Sequence, residues 1–168
     1  SPIQLTRRFR ELAGFSEAEI DEIADGAGVQ DRGSRLMVSV SVIPETFEMV
    51  FFDAVVIGEV AASVAERVGF TDDELTIDID EGSPLGRSRV ESYEPVILAV
   101  DGGAFEDTRR PRHFSRRRSS EVIGRGLLRV LDRRSGRFAD APDDGALGLA
   151  LRSAWDVHSV GRLERLGY

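Results

Sequence analysis

The sequence predicts an α+β domain in two layers, with a small sheet of about three strands packed against a long central helix and flanking helices. Three observations carry that expectation. Residues 36–43 (LMVSVSVI) and 74–80 (ELTIDID) alternate apolar and polar side chains with the period of a strand. Between them, residues 45–68 repeat apolar side chains at helical spacing. Residues 96–100 (VILAV) are apolar on both sides and end at Asp101-Gly102-Gly103, as a central strand would.

Taken in order, residues 3–27 read as two short helices. Ser16-Glu17-Ala18-Glu19 is a capping box for the second, Ile20, Ile23 and Ala24 form its apolar side, and Gly26 and Gly28 stop it. Glu17, Glu19, Asp21, Glu22 and Asp25 on that helix would repel phosphate, so the pair reads as a packing hairpin and not as a DNA-binding element. In the first strand Leu36, Val38, Val40 and Val42 point one way, Ser39 and Ser41 the other. Pro44-Glu45 opens the long helix, on which Phe47, Phe51, Ala54, Gly58, Ala61, Ala65 and Val68 share a face. Met49, Phe52, Val56 and Val60 make much of its remaining surface apolar, leaving Glu45, Glu48, Glu59, Ser63 and Glu66 as a polar stripe. That is more apolar surface than one small sheet covers, and it predicts a homo-oligomer, a dimer, joined through this helix.

In the second strand Leu75, Ile77 and Ile79 face the core, with Thr76, Asp78 and Asp80 outside. Residues 81–94 form a polar loop with Gly82, Pro84 and Gly86, and 86–93 is where a further strand would lie. Ser115 or Ser119 caps a helix that runs to about Arg134, its apolar face made by Val122, Ile123, Leu127, Val130 and Leu131. Arg125, Arg129 and Arg133 form a stripe on the opposite face. After a loop at 135–144, Asp143 or Asp144 caps a helix over 145–156 with Leu147, Leu151 and Trp155 in register, and a short helix spans 160–166. The element order is ααβαββααα in one domain, 1–168: an N-terminal helical pair (1–28), an α/β core (36–134) and C-terminal helices (140–168).

Charge is the main functional signal. Every one of the 22 Lys-plus-Arg positions is arginine. Absence of Lys and Asn beside abundant Arg, Ala, Gly and Asp is the codon bias of a GC-rich genome, which accounts for the identity of the cations but not for their clustering. Eleven arginines lie between Arg109 and Arg137, against only Glu121 and Asp132. The segment therefore carries +9 in a chain of net charge −8, which leaves −17 on the rest.

Much else is excluded. Without cysteine there are no disulfides, thiolate nucleophiles or cysteine-ligated metals, and without asparagine no N-glycosylation. With two histidines, His113 and His158, a three-histidine metal site cannot form, and HExxH is absent, so no metal or other cofactor is expected. The order of long helix, two strands and helix resembles the small zincin core in outline; the helix that would carry the zinc motif reads Ser120-Glu121-Val122-Ile123-Gly124, so that resemblance implies a relative without the metal. Asp78, Asp80, Glu81 and Asp101 have the right oxygens for a hard cation, but strand alternation already explains them as a solvated face. Neither GxSxG, GxxxxGK[ST] nor GxGxxG occurs; Gly124-Arg125-Gly126 sits inside a helical pattern. No apolar run approaches the roughly 18 residues of a membrane span, and SPIQLTRRF has no signal core. The expectation is a soluble cytoplasmic protein.

The candidate site is Arg109, Arg110, Arg112, Arg116, Arg117 and Arg118, on a loop and helix start, where guanidinium forks can take phosphate or carboxylate. The arginines oppose the helix dipole there, a local cost that a partner would offset. Salt bridging with the chain's own acidic segments, 17–25 or 140–144, or between subunits is the simpler reading and is favoured over an external anion. The expected function is a non-catalytic binding domain whose segment 109–137 docks an anionic partner or subunit surface, an acidic protein before RNA. Sequence-specific DNA binding is not expected: only Gln4 and Gln30 offer amide side chains for base edges. The alternative is a small-molecule enzyme, with Arg112, Arg116 and Arg117 holding a phosphate or carboxylate and Asp101 or Glu106 as base.

Overall fold

A computed structural model describes residues 36–43, 54–138 and 140–168. The predicted N-terminal helical pair and the first part of the long helix, with Phe47, Phe51 and Phe52, lie outside the described residues. The elements are β1 (Met37–Ile43), α1 (Ala54–Val68), β2 (Glu74–Asp80), β3 (Ser88–Tyr93), β4 (Val96–Asp101), a 3₁₀ turn (Gly102–Phe105), α2 (Arg116–Arg134) and α3 (Leu149–Arg165).

Among the described residues the sheet has four strands in the order β1-β2-β4-β3, one more than expected. β1 and β2 are parallel, so the chain needs a crossover between them, which contains α1. β2 and β4 are also parallel, and β3 folds back antiparallel on β4 as the outer strand. The extra strand falls in the stretch 86–93, within the polar loop expected over 81–94. Its sequence, SRVESY, carries a single aliphatic side chain, Val90, and an edge strand with one buried position gives almost no periodic signal.

The other strands form for the reason their sequences announce. Val38 and Val40 of β1, Leu75, Ile77 and Ile79 of β2, and Val96, Leu98 and Val100 of β4 are all buried. α1 contributes Ile57, Val60, Ala61, Val64 and Ala65 to the same core, and α2 contributes Val122, Ile123, Leu127 and Val130. The Ser115 hydroxyl caps α2 by accepting from the Arg118 N–H at 3.2 Å. Gly124 and Gly126 are packing positions in α2. A Cβ at Gly124 would lie 2.6 Å from Leu163 of α3, and one at Gly126 would lie 3.0 Å from Leu98 of β4. The helix accepts glycine's cost, about 1 kcal/mol each, so that α3 and the sheet can approach it.

The C-terminal region differs from expectation. The two predicted helices, 145–156 and 160–166, are one helix, capped at Gly148 and not at Asp143 or Asp144. Ser159 and Leu163 are buried on either side of Gly161, and this packing carries the helix through residues of modest propensity. Trp155 is buried, whereas Leu151 is 57% exposed. No helix among the described residues is long and apolar enough to cross a membrane.

Candidate functional site

The loop from Glu106 to Ser115 is built by hydrogen bonds to its own backbone. Asp107 Oδ1 accepts the Arg109 N–H at 2.8 Å and the Arg110 N–H at 3.3 Å. Glu106 Oε1 accepts the Arg112 N–H at 2.5 Å, holding Arg112 in the left-handed region at φ 65°. The Asp107 N–H donates to the His113 carbonyl, Glu106 and Phe114 form a β-bridge, and the Ser115 N–H donates to the Phe105 carbonyl. The His113 ring donates from Nδ1 to the Pro111 carbonyl at 3.1 Å, an ordinary turn contact. The Arg109 N–H, supported by the Arg110 side chain, holds the Asp107 carboxyl below its usual range.

The six candidate arginines have different fates. Arg118 turns inward: its Nη1 donates to the carbonyls of Glu106 at 2.6 Å and Gly103 at 3.3 Å, tying α2 to the 3₁₀ turn. Arg116 reaches Glu59 of α1 at 3.7 Å, and Arg110 pairs with Asp107 at 3.3 Å. Arg109, Arg112 and Arg117 are exposed. Consecutive residues of a helix diverge by about 100°, so Arg116, Arg117 and Arg118 cannot converge on one point. The well-formed clefts among the described residues are lined by other side chains. The two carboxylates considered as bases are both occupied. Glu106 accepts from Arg112, and Asp101 Oδ2 accepts from the Arg87 N–H at 3.2 Å and Nε at 3.0 Å.

In the second half of the arginine segment, Arg129 and Arg133 face α3 and the loop before it. Arg129 donates to Asp156 of α3 at 3.1 Å, and its guanidinium lies 4.8 Å from the Trp155 ring centre. Arg133 stands 5.1 Å from the same ring and bonds Asp144 and the carbonyl of Ala141. Phe138 stacks on Trp155 at 4.8 Å, and the indole N–H donates to Asp132 Oδ2 at 2.8 Å. Asp132, 6% exposed, also accepts from Arg162. Arg134 forms a two-pronged pair with Asp72 at 2.6 and 2.8 Å. Tyr93 donates to Asp144; burial first, then that bond and the Asp144 charge, push the Tyr93 phenol up to about 12. The arginine stripe of α2 is therefore the seat of α3. Arg125 departs from this pattern: among the described residues its buried Nε has no hydrogen-bond partner.

No family model, curated protein or solved structure matches this chain. Among the described residues no group of three or more His, Asp or Glu side chains is arranged to hold a metal ion. Sequence reasoning missed a cleft lined by Gly86, Arg87, Ser88, Arg89, Ala99, Asp101, Arg125, Arg152 and Asp156. Its arginines come from β3 and the turn before it, α2 and α3, so nothing in their spacing marks them as neighbours.

Proposed function

We propose that this chain is a non-catalytic binding domain whose segment 109–137 docks an anionic protein surface, through the loop that carries Arg109 and Arg112 and the adjoining Arg117. One observation carries the reading. The acidic side chains of this loop, Glu106 and Asp107, are engaged by backbone N–H groups, so they rigidify it, while Arg109, Arg112 and Arg117 are exposed. A preorganised loop spends little entropy on binding, and guanidinium forks suit carboxylates. The enzyme reading is weaker, because Glu106 and Asp101 are occupied and no described cleft is lined by these arginines.

The test uses the triple substitution Arg109→Gln, Arg112→Gln, Arg117→Gln, with poly-glutamate and poly-uridylate as probes. The unmodified protein should bind poly-glutamate, more weakly as salt rises, and the variant should lose that binding with its fold intact. Equal binding by both proteins overturns the site. Preference for poly-uridylate would make the partner RNA instead.

Self-association belongs to the same proposal. It rests on Phe47, Phe51 and Phe52, since the described turns of α1 bury Ile57, Val60, Ala61 and Val64 within one chain. Sedimentation equilibrium should give a dimer, and a monomer at high micromolar concentration overturns this part.

A further inference from the structure

The cleft at the β3 edge is separate from the loop just described, and its chemistry is more specific. It measures about 420 Å³, in the range of small-ligand sites, and is lined by four arginines and two aspartates. The aspartates are already balanced. Asp101 accepts from Arg87 at 3.0 Å and Asp156 from Arg129 at 3.1 Å. Among the described residues Arg152 donates to the uncharged carbonyls of Leu147 at 3.0 Å and Asp144 at 3.5 Å. Arg89 approaches Glu91 only at 3.8 Å, with its side chain 70% exposed. Arg125 is the decisive group. Its Nε is buried without a hydrogen-bond partner among the described residues, whereas Arg129 pairs with Asp156 and Arg133 with Asp144. Fold stability does not account for an unpartnered guanidinium nitrogen here, since a buried donor left unsatisfied is costly.

We infer that this cleft is a binding site for a small oxyanion, a phosphate monoester or a carboxylate that also bears hydroxyl or amino groups. Guanidinium groups are strong oxyanion donors, and Arg125, Arg89 and Arg152, all lining the cleft, supply an excess of positive charge. Asp101, Asp156 and the Ser88 hydroxyl are the acceptors that would take a ligand's hydroxyl or ammonium hydrogens. A ligand with the oxyanion alone would leave those carboxylates facing it, so polyhydroxy anions are favoured over bare ones.

Thermal melts and calorimetric titration with inorganic phosphate, ribose 5-phosphate and tartrate test this. Ribose 5-phosphate or tartrate should bind and raise the melting temperature, inorganic phosphate less so; which of the two binds tighter tells phosphate from carboxylate. Arg125→Met should melt at or above the unmodified protein in anion-free buffer and lose the ligand-induced shift. Arg89→Gln, at a largely exposed position, should keep the fold and weaken binding about tenfold, as expected for one lost charge-assisted bond. The triple Arg109, Arg112 and Arg117 variant should bind these ligands unchanged, which separates this site from the docking loop. The inference is overturned if none of the three ligands binds at 10 mM scale (about the weakest useful affinity), or if Arg89→Gln binds as the unmodified protein does. It is equally overturned if Arg125→Met is destabilised in anion-free buffer, because Arg125 would then be structural.

Discussion

Between residues 106 and 118 the nearby carboxylates serve mainly the backbone; between residues 125 and 134 the carboxylates serve the guanidiniums. In the first region Glu106 and Asp107 accept the N–H groups of Arg112, Arg109 and Arg110, and the loop gains its shape from them. In the second, Asp72, Asp144 and Asp156 each hold an arginine of α2, and Trp155 lies beside two of those guanidiniums. The difference teaches that arginine clustering does not define a role by itself. What decides it is whether another element covers the side chains. α3 packs on the later arginines, where desolvation strengthens ion pairs and cation–π contacts, and an ion pair at the open surface contributes only about 0–1 kcal/mol.

The strongest way to break this comparison is to remove the platform on which the covered arginines rest. Trp155→Ala should destabilise the fold by about 3–5 kcal/mol, the usual cost of emptying a buried aromatic site. Urea unfolding measures it, and a loss below about 1 kcal/mol would mean that α3 is not held by this contact.

A smaller effect is expected at the buried carboxylate beneath it. Asp132 accepts from Trp155 and Arg162 together. Asp132→Asn should cost about 1.5–3 kcal/mol, the range for hydrogen bonds to a charged group. The same urea melts would show whether the charge or only the shape matters, since an unchanged midpoint means shape alone.

The pH dependence sharpens the contrast on the loop side. Burial pushes the Glu81 carboxyl above its ordinary value of 4.5, and its Oε1 has no hydrogen-bond partner among the described residues. A raised folded-state pKa means that the folded chain holds the proton more tightly than the unfolded chain. The Glu81 contribution is therefore fully present below the unfolded value and is lost as pH rises through the higher folded value. Melting temperatures from pH 4 to pH 7 should fall less in Glu81→Gln than in the unmodified protein. Asp107 has the opposite sign: its contribution is present above the ordinary carboxylate range and is lost as the pH falls. Parallel pH profiles for Glu81→Gln and the unmodified protein would remove Glu81 from this account.

The smallest effect belongs to the exposed arginines. Changing Arg109, Arg112 and Arg117 to Gln should move stability by no more than about 0.5 kcal/mol per site, the normal scale for surface substitutions. Arg129→Gln and Arg133→Gln, beneath α3, should each cost more. Equal losses in the two groups would erase the distinction between the regions.

Local pattern was enough for much of the frame. Alternation marked β1 and β2, an unbroken apolar run marked β4, and Ser115 or Ser119 before an apolar face placed the start of α2, which Ser115 caps, because period and capping are properties of neighbouring residues. The clustering of arginines at 109–137 was equally plain. What the chain hid were features whose cause is a distant partner. β3 exists because Val90 pairs with Leu98 on β4, and α3 runs unbroken through Gly161 because Leu163 fills the space beside Gly124. Which arginines are covered follows from the position of α3, and the β3-edge cleft joins Arg87, Arg89, Arg125 and Arg152 across three elements. The sequence by itself determined the secondary structure where each segment buries one regular face. Tertiary structure decided which charges meet, since electrostatic pairing depends on distances that only packing sets.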